Sequence, residues 1–204
     1  MSHHANPSGR GAVHVAVGEF LRNPLKVGSA LPATGRMVEK VLAPLNWRKI
    51  GVLVEFGPGT GSFTRSALAR LQPAATLIAI EPGTDFVKHL RRSIRDPRLK
   101  VIQGSAEDLA QILRSEGASV ADCILSGLPF STLDASRARA IIRASAGVLS
   151  HRGTFAAYQM RTRLKPLLRS HFLTVRAEYE WWNVPPCHIY WASNPRAMVC
   201  GLKQ

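Results

Sequence analysis

The segment Val52-Leu53-Val54-Glu55-Phe56-Gly57-Pro58-Gly59-Thr60-Gly61 constrains this chain more than any other. An apolar run ending in an acid leads into a turn with glycine at alternate positions, and Ser62 to Leu71 follows with helical spacing. Glycine enters left-handed backbone freely and leaves room for a ligand to approach the main chain. Strand, tight turn and helix in that order open a nucleotide-binding α/β domain, although a glycine pattern alone also fits a turn that holds nothing. A second acid stands where such a domain needs one. The run Thr76 to Ile80 ends in Glu81, about twenty residues beyond the glycines, where a carboxylate accepts hydrogen bonds from both ribose hydroxyls. Pro82 and Gly83 would then lie beside the base.

From about residue 50, short apolar runs alternate with amphipathic segments, the pattern of a parallel sheet flanked by helices. Strands are expected at Ile50 to Glu55, Thr76 to Glu81, Leu99 to Gln103, Ala121 to Leu125 and Gly153 to Gln159. Helices are expected at Ser62 to Leu71, Thr84 to Ile94, Glu107 to Ser115 and Ala135 to Leu149. After Gln159 come a short helix near Leu164 to Ser170 and two β-rich runs, Leu173 to Trp182 and His188 to Gly201, which form an antiparallel hairpin at the sheet edge. Ahead of the core, Val13, Ala16, Val17, Phe20 and Leu21 share one helical face, and Thr34 caps a second helix with Met37, Val38, Val41 and Leu42 inward. The first stripe either packs on the core or faces lipid. The chain reads as a single domain, with an N-terminal helical segment over residues 1–48 and a core over 49–204.

The formal charge of +14 predicts polyanionic partners. Nucleic acid and an anionic membrane both satisfy that charge. Cys123, Cys187 and Cys200 show no CxxC pairing, so neither a disulfide framework nor a metal site is expected, and the thiols read as reduced in a cytoplasmic protein. The polar N-terminus lacks a signal-peptide pattern, and no stretch approaches the ~20 apolar residues of a membrane span. Membrane contact, if made, is peripheral.

The Glu55 to Gly61 stretch resembles the first motif of class I methyltransferases that use S-adenosylmethionine (AdoMet). Its E-F-G-P-G-T-G differs from the dinucleotide spacing G-x-G-x-x-G, which favours AdoMet over NAD. The resemblance implies a Rossmann-like α/β fold with a seven-stranded, mostly parallel sheet and an antiparallel C-terminal hairpin. Gly104-Ser105-Ala106 stands where the superfamily commonly has Gly-Asp-Ala, so Ser105 departs from the residue that holds the adenine amine. Ser126-Gly127-Leu128-Pro129-Phe130 is similar to the Asn-Leu-Pro-Tyr type loop of ribosomal-RNA adenine dimethyltransferases, without its side-chain amide. Those enzymes usually carry a helical RNA-binding domain after the core; the last strand expected here is followed by none in this sequence, which counts against the RNA reading.

With Phe20 to Pro32 and Trp181-Trp182-Asn183-Val184-Pro185-Pro186, the loop resembles bacterial phosphatidylethanolamine N-methyltransferases of the PmtA type. That resemblance implies methyl transfer to the phospholipid amine at the inner face of the cytoplasmic membrane, with RNA adenine methylation and a non-catalytic basic module as alternatives. AdoMet is expected at Glu55, Gly57, Pro58, Gly59, Thr60, Gly61, Glu81, Pro82, Gly83, Ser105, Ala106 and Ser126, with Thr34, Gly35 and Arg36 approaching its carboxylate. Ser126, Gly127, Leu128, Tyr158, His188 and Tyr190 are the expected acceptor-side residues. Arg22, Lys26, Arg36, Trp182 and Asn183 are expected to meet lipid; Arg161, Arg163, Lys165 and Arg169 form either a second phosphate patch or a solvated face. No side chain reads as a dedicated base.

Overall fold

The computed structural model describes residues 34–183 and 185–196. The Val13 to Leu21 stripe, the Phe20 to Pro32 stretch, Arg22, Lys26, Val184 and Cys200 lie outside the described residues. Helix α1 (Gly35–Leu42) begins where Thr34 caps it, its hydroxyl accepting from the Met37 N–H at 3.2 Å. Met37, Val38, Val41 and Leu42 are its buried residues, the four that the periodicity picks out.

The remaining order is β1 (Val52–Phe56), α2 (Ser62–Leu68), β2 (Thr76–Glu81), α3 (Thr84–Ser93), β3 (Leu99–Gln103), α4 (Leu109–Ser115), β4 (Ala121–Ser126), α5 (Ala135–Val148), β5 (Leu149–Gln159), α6 (Leu164–His171), β6 (Phe172–Glu180) and β7 (Cys187–Pro195). Together the strands form one seven-stranded sheet in the order β3-β2-β1-β4-β5-β7-β6. Strands β1 to β5 pair in parallel, whereas β7 is antiparallel to both β5 and β6. The expected hairpin is present, with its second strand inserted between β5 and β6.

Continuous apolar runs form the central strands because both faces of the sheet are covered. Leu53, Leu77, Cys123, Leu125 and Ala156 pack under α1 and α2 on one face, while Val54, Phe56, Ile124, Phe155 and Tyr190 meet α4, α5 and α6 on the other. Strand order reverses between β1 and β4. In an open parallel sheet the crevice beyond the carboxyl ends of the strands at that reversal is where ligands bind. No helix among the described residues is long and apolar enough to cross a membrane.

Candidate active site

Three loops converge at the reversal, and main-chain hydrogen bonds carry the ladder past the strand ends. Gly57 N–H donates to Ile80 O at 3.0 Å, Gly127 N–H to Phe56 O at 2.9 Å and Gly104 N–H to Glu81 O at 3.2 Å. Gly57, Gly59 and Gly61 take φ values of 62°, 55° and 84°, the left-handed region that glycine alone adopts cheaply. A Cβ on Gly61 would lie 2.8 Å from Leu90 Cδ2, so that glycine serves close packing. At Gly59 a Cβ would meet nothing within 4 Å, leaving the turn an open side.

Two carboxylates frame that turn. Glu81 closes β2 and accepts from Gly83 N–H at 2.9 Å and from Gly59 N–H at 3.3 Å, fixing the acid to the glycine turn. Burial pushes its pKa up, against the lowering effect of those two amides. Glu55, fully enclosed at the end of β1, accepts from the Thr64 hydroxyl at 2.6 Å. Its pKa is pushed up to about 7, mainly by burial, with the Thr64 bond opposing and the charge of Glu81 adding to the rise.

Pro82 is exposed and Gly83 half-buried beside Glu81, and Thr60 lies in the glycine turn. The carbonyl of the buried Pro58 accepts from Gly61 N–H at 2.9 Å. Ser105 follows β3, where its hydroxyl accepts from Glu107 N–H at 3.3 Å and caps the short 3-10 helix Ala106–Asp108. Ala106 is buried in the core.

The acceptor side is built from β4, β5 and the β6–β7 connection. A narrow pocket lined by Val41, Glu55, Gly57, Phe63, Ser126 and Tyr158 abuts a second small pocket lined by Met37, Leu128, Pro129, Met160, Asn183 and Cys187; Gly127 and Tyr158 belong to both. Gly127 must be glycine, because a Cβ there would stand 2.9 Å from Gly57 O and 3.0 Å from the Tyr158 hydroxyl. Tyr158 stacks on Phe63 at 5.0 Å between ring centroids. Burial and the charges of Glu55 and Cys187 push the Tyr158 phenol far above its ordinary range, and Cys187 is raised to about 11 by burial and Glu180, so both stay protonated at neutral pH.

Several wall-building residues escape the sequence reading. Gln159, buried at the end of β5, donates to Leu128 O at 2.6 Å and accepts from Phe130 N–H at 3.1 Å, clamping the Ser126 to Phe130 loop. Asn183, expected from the sequence to meet lipid, is buried; it accepts from the N–H and hydroxyl of Thr34 at 3.4 and 3.3 Å and donates to Pro185 O at 2.9 Å. It ties α1 to the β6–β7 connection while lining the pocket. Thr64 and Phe63 support Glu55 and Tyr158. A lone polar residue ending an apolar strand was the one available signal for Gln159.

Other expected groupings do not form. Paired positions of β5 and β7 share a face, so Tyr158 lies with Ile189 on the α1 side, whereas Tyr190 lies with Ala157 on the α5 side. Tyr190 is fully buried there, its hydroxyl without a partner among the described residues. His188 meets Tyr179 edge-on and lies stacked toward Tyr190, and burial together with Lys165 lowers its pKa. Neither His188 nor Tyr190 lines the pocket that Tyr158 lines. Thr34 and Gly35 start α1, and Arg36 reaches Glu180 at 3.7 Å and the Trp182 ring at 5.9 Å; these are its contacts, rather than the glycine turn.

A methyltransferase-domain family model matches residues 53–153. The ornithine lipid N-methyltransferase of Singulisphaera acidiphila is 30% identical over 176 residues, covering 85% of this chain and 92% of that protein. The chain belongs to the class I AdoMet-dependent methyltransferases. A ribosomal RNA small subunit methyltransferase H from Nitrosomonas europaea is 31% identical over 102 residues, 50% of this chain and 32% of the relative. Among solved structures, the 1,6-didemethyltoxoflavin-N1-methyltransferase of Burkholderia thailandensis, with bound S-adenosylhomocysteine, superposes at a TM-score of 0.64 with 14% identity over 96% of this chain and 93% of that one. Human methyltransferase-like protein 13, also with S-adenosylhomocysteine, gives 0.62 with 14% identity over 80% and 82% of the two chains.

The residues present suit AdoMet. The glycine turn has an open side at Gly59, Glu81 stands at the ribose position beside it, and Glu55 supplies a carboxylate facing the pocket where a cationic cofactor gains by its ionisation.

Proposed function

We propose that this methyltransferase adds methyl groups to the primary amine of a polar lipid, phosphatidylethanolamine, while bound peripherally at the inner face of the cytoplasmic membrane. The observation that carries this reading is the adjacency of two pockets that share Gly127 and Tyr158, one beside the glycine turn and the other walled by Met37, Leu128, Met160 and Cys187. A mostly apolar wall beside the glycine turn suits a small amine on an apolar body better than a planar base. Both side-chain amides in that wall are engaged elsewhere, Gln159 with Leu128 and Phe130 and Asn183 with Thr34 and Pro185.

AdoMet, when bound, supplies an electrophilic methyl group on a sulfonium. The chain's own residues align the partners and keep water away, which is most of what an in-line displacement requires. Gly127 lets the acceptor loop touch the glycine turn, and Gln159 holds that loop in place. A lysine-like amine costs about 4 kcal/mol to neutralise at pH 7. Enclosure between apolar walls opposes its charged form and offsets part of that cost. Phe63 and Tyr158, stacked on each other, line the pocket in which a methylated ammonium would form, and an aromatic face open to it contributes roughly 0.5 to 2 kcal/mol.

Ornithine lipid presents the same primary amine and is the second reading, favoured by the similarity to the enzyme of Singulisphaera acidiphila. Purified protein given methyl-labelled AdoMet should label vesicles containing phosphatidylethanolamine, vesicles containing ornithine lipid, or both, and the better acceptor identifies the headgroup. Label in small-subunit ribosomal RNA with neither lipid modified would overturn the proposal.

A further inference from the structure

Five large apolar side chains are strongly exposed among the described residues, and they are not scattered evenly. Val120 precedes β4 and Leu173 begins β6, at the edge of the sheet opposite the site, where each stands singly. Trp181 and Trp182, 73% and 72% exposed, follow the end of β6, and Met160, 50% exposed, follows the end of β5. Strands β5 and β6 run in the same direction, so all three share the edge that carries the acceptor pocket. Met160 and Asn183 line that pocket, so the apolar tip continues from its mouth.

The tip is held stiffly. Trp182 N–H donates to Glu180 at 3.0 Å, Trp181 packs edge-on against Tyr179 at 4.4 Å, and Asn183 fastens the connection to Thr34 and Pro185. Rings fixed in place lose little freedom when they enter another phase. Glu178 and Glu180 beside them are paired with Lys40 and Arg36, and the segment after Met160 is of one sign: residues 135–177 include Arg161, Arg163 and Lys165 and contain no Asp or Glu. Arg161 and Arg163 are exposed and carry no ion pair among the described residues.

Tryptophan prefers the boundary between hydrocarbon and headgroups, and basic residues beside it are drawn to anionic lipid. We propose that Met160, Trp181 and Trp182, with Arg36, Arg161 and Arg163 around them, form a docking face for an anionic bilayer. Docked this way, the protein turns the pocket mouth toward the lipid headgroups; this orientation rests on the lipid-amine reading above, whereas the docking itself is measurable without turnover.

The test uses the full chain with vesicles of phosphatidylcholine containing phosphatidylglycerol, and no amine lipid. Wild-type tryptophan emission should shift to the blue and be quenched by lipids brominated near the headgroup. Trp181→Ala with Trp182→Ala should lower vesicle partitioning by at least about tenfold, the loss expected for two partly buried rings. Arg161→Gln with Arg163→Gln should lower it by about fivefold per charge on these vesicles and leave binding to pure phosphatidylcholine unchanged. Unchanged melting temperature and AdoMet affinity in both variants show that fold and donor site persist. Failure of the lipid-amine reading would appear separately, as absent methyl transfer to vesicles that still bind. Partitioning unaffected by both pairs of substitutions, or a face that holds single-stranded RNA but leaves anionic vesicles unbound, would overturn the proposal.

Discussion

The donor half of the site, on β1 and β2, and the acceptor half, on β4, β5 and the β6–β7 connection, are held together in different ways. On the donor side the contacts are short in sequence: Glu55 with Thr64, Glu81 with Gly83 and, 22 positions away, with Gly59. On the acceptor side Gln159 reaches back 29 and 31 positions to Phe130 and Leu128, and Asn183 and Cys187 meet Thr34 and Met37 across 149 and 150. A cofactor common to many enzymes is met by local motifs. The substrate is met by a wall assembled from distant segments, so it can change without disturbing the cofactor turn.

The sharpest way to break this division is at the one glycine that joins the halves. Gly127→Ala places a Cβ 2.9 Å from Gly57 O and 3.0 Å from the Tyr158 hydroxyl, so the acceptor loop and the glycine turn must separate. Methyl transfer should fall by two orders of magnitude or more, of the size that a misplacement of about 1 Å costs. Thermal unfolding should show a stability loss of about 1 to 3 kcal/mol. Turnover within a few-fold of wild type would show that the two loops need not touch.

Next in size is the loss of a donor-side acid. Glu81→Ala should weaken AdoMet by roughly ten- to a hundredfold in calorimetry, the range for hydrogen bonds to a charged group, and leave the KM for lipid unchanged. Gln159→Ala should lower kcat by about tenfold with AdoMet affinity unchanged, because only the clamp on Leu128 and Phe130 is removed.

A smaller effect follows from Glu55. Its pKa near 7 means it carries a proton below neutrality, and a cationic cofactor favours its ionised form. AdoMet affinity should therefore rise a few-fold as pH increases through about 7, and Glu55→Gln should flatten that dependence. Stability runs the other way. A buried carboxylate raised from 4.5 to about 7 is fully favourable to the fold only below 4.5, and that contribution, up to roughly 3 kcal/mol, is lost as pH rises through about 7. Denaturant unfolding at several pH values checks the sign, and the Gln variant should lose the slope. Smallest of all is Arg36→Ala, which should leave AdoMet affinity unaltered because Arg36 contacts Glu180 and Trp182.

The same division decides what could be read from the sequence. The donor half was legible because a strand, its terminal acid and three glycines lie within ten residues, and Glu81 stands at the end of the next strand. Strand positions were legible too, since both faces of the sheet are buried and its runs are continuously apolar, but β5 starts at Leu149, four residues ahead of the expected Gly153. Helix α1 was recognised from Thr34 and four inward residues. The grouping of Tyr158 with His188 and Tyr190 failed for a definite reason: side chains alternate along a strand, and the face each one takes depends on the register of β7 against β5, which no local pattern encodes. Gln159 was silent, and Asn183 was read as a lipid contact and not as the tie to Thr34, because their partners lie far away in sequence.

The most direct test is to combine Glu81→Ala with Gln159→Ala and to measure, in the same preparations, AdoMet affinity by calorimetry and methyl transfer to an amine lipid by mass spectrometry with deuteromethyl AdoMet. The account predicts that the double variant binds AdoMet as Glu81→Ala alone does, while its residual transfer to the lipid amine is the product of the two single losses. A Gln159→Ala protein that binds AdoMet as poorly as Glu81→Ala, or deuteromethyl groups that never reach a lipid amine in the wild type, would contradict it.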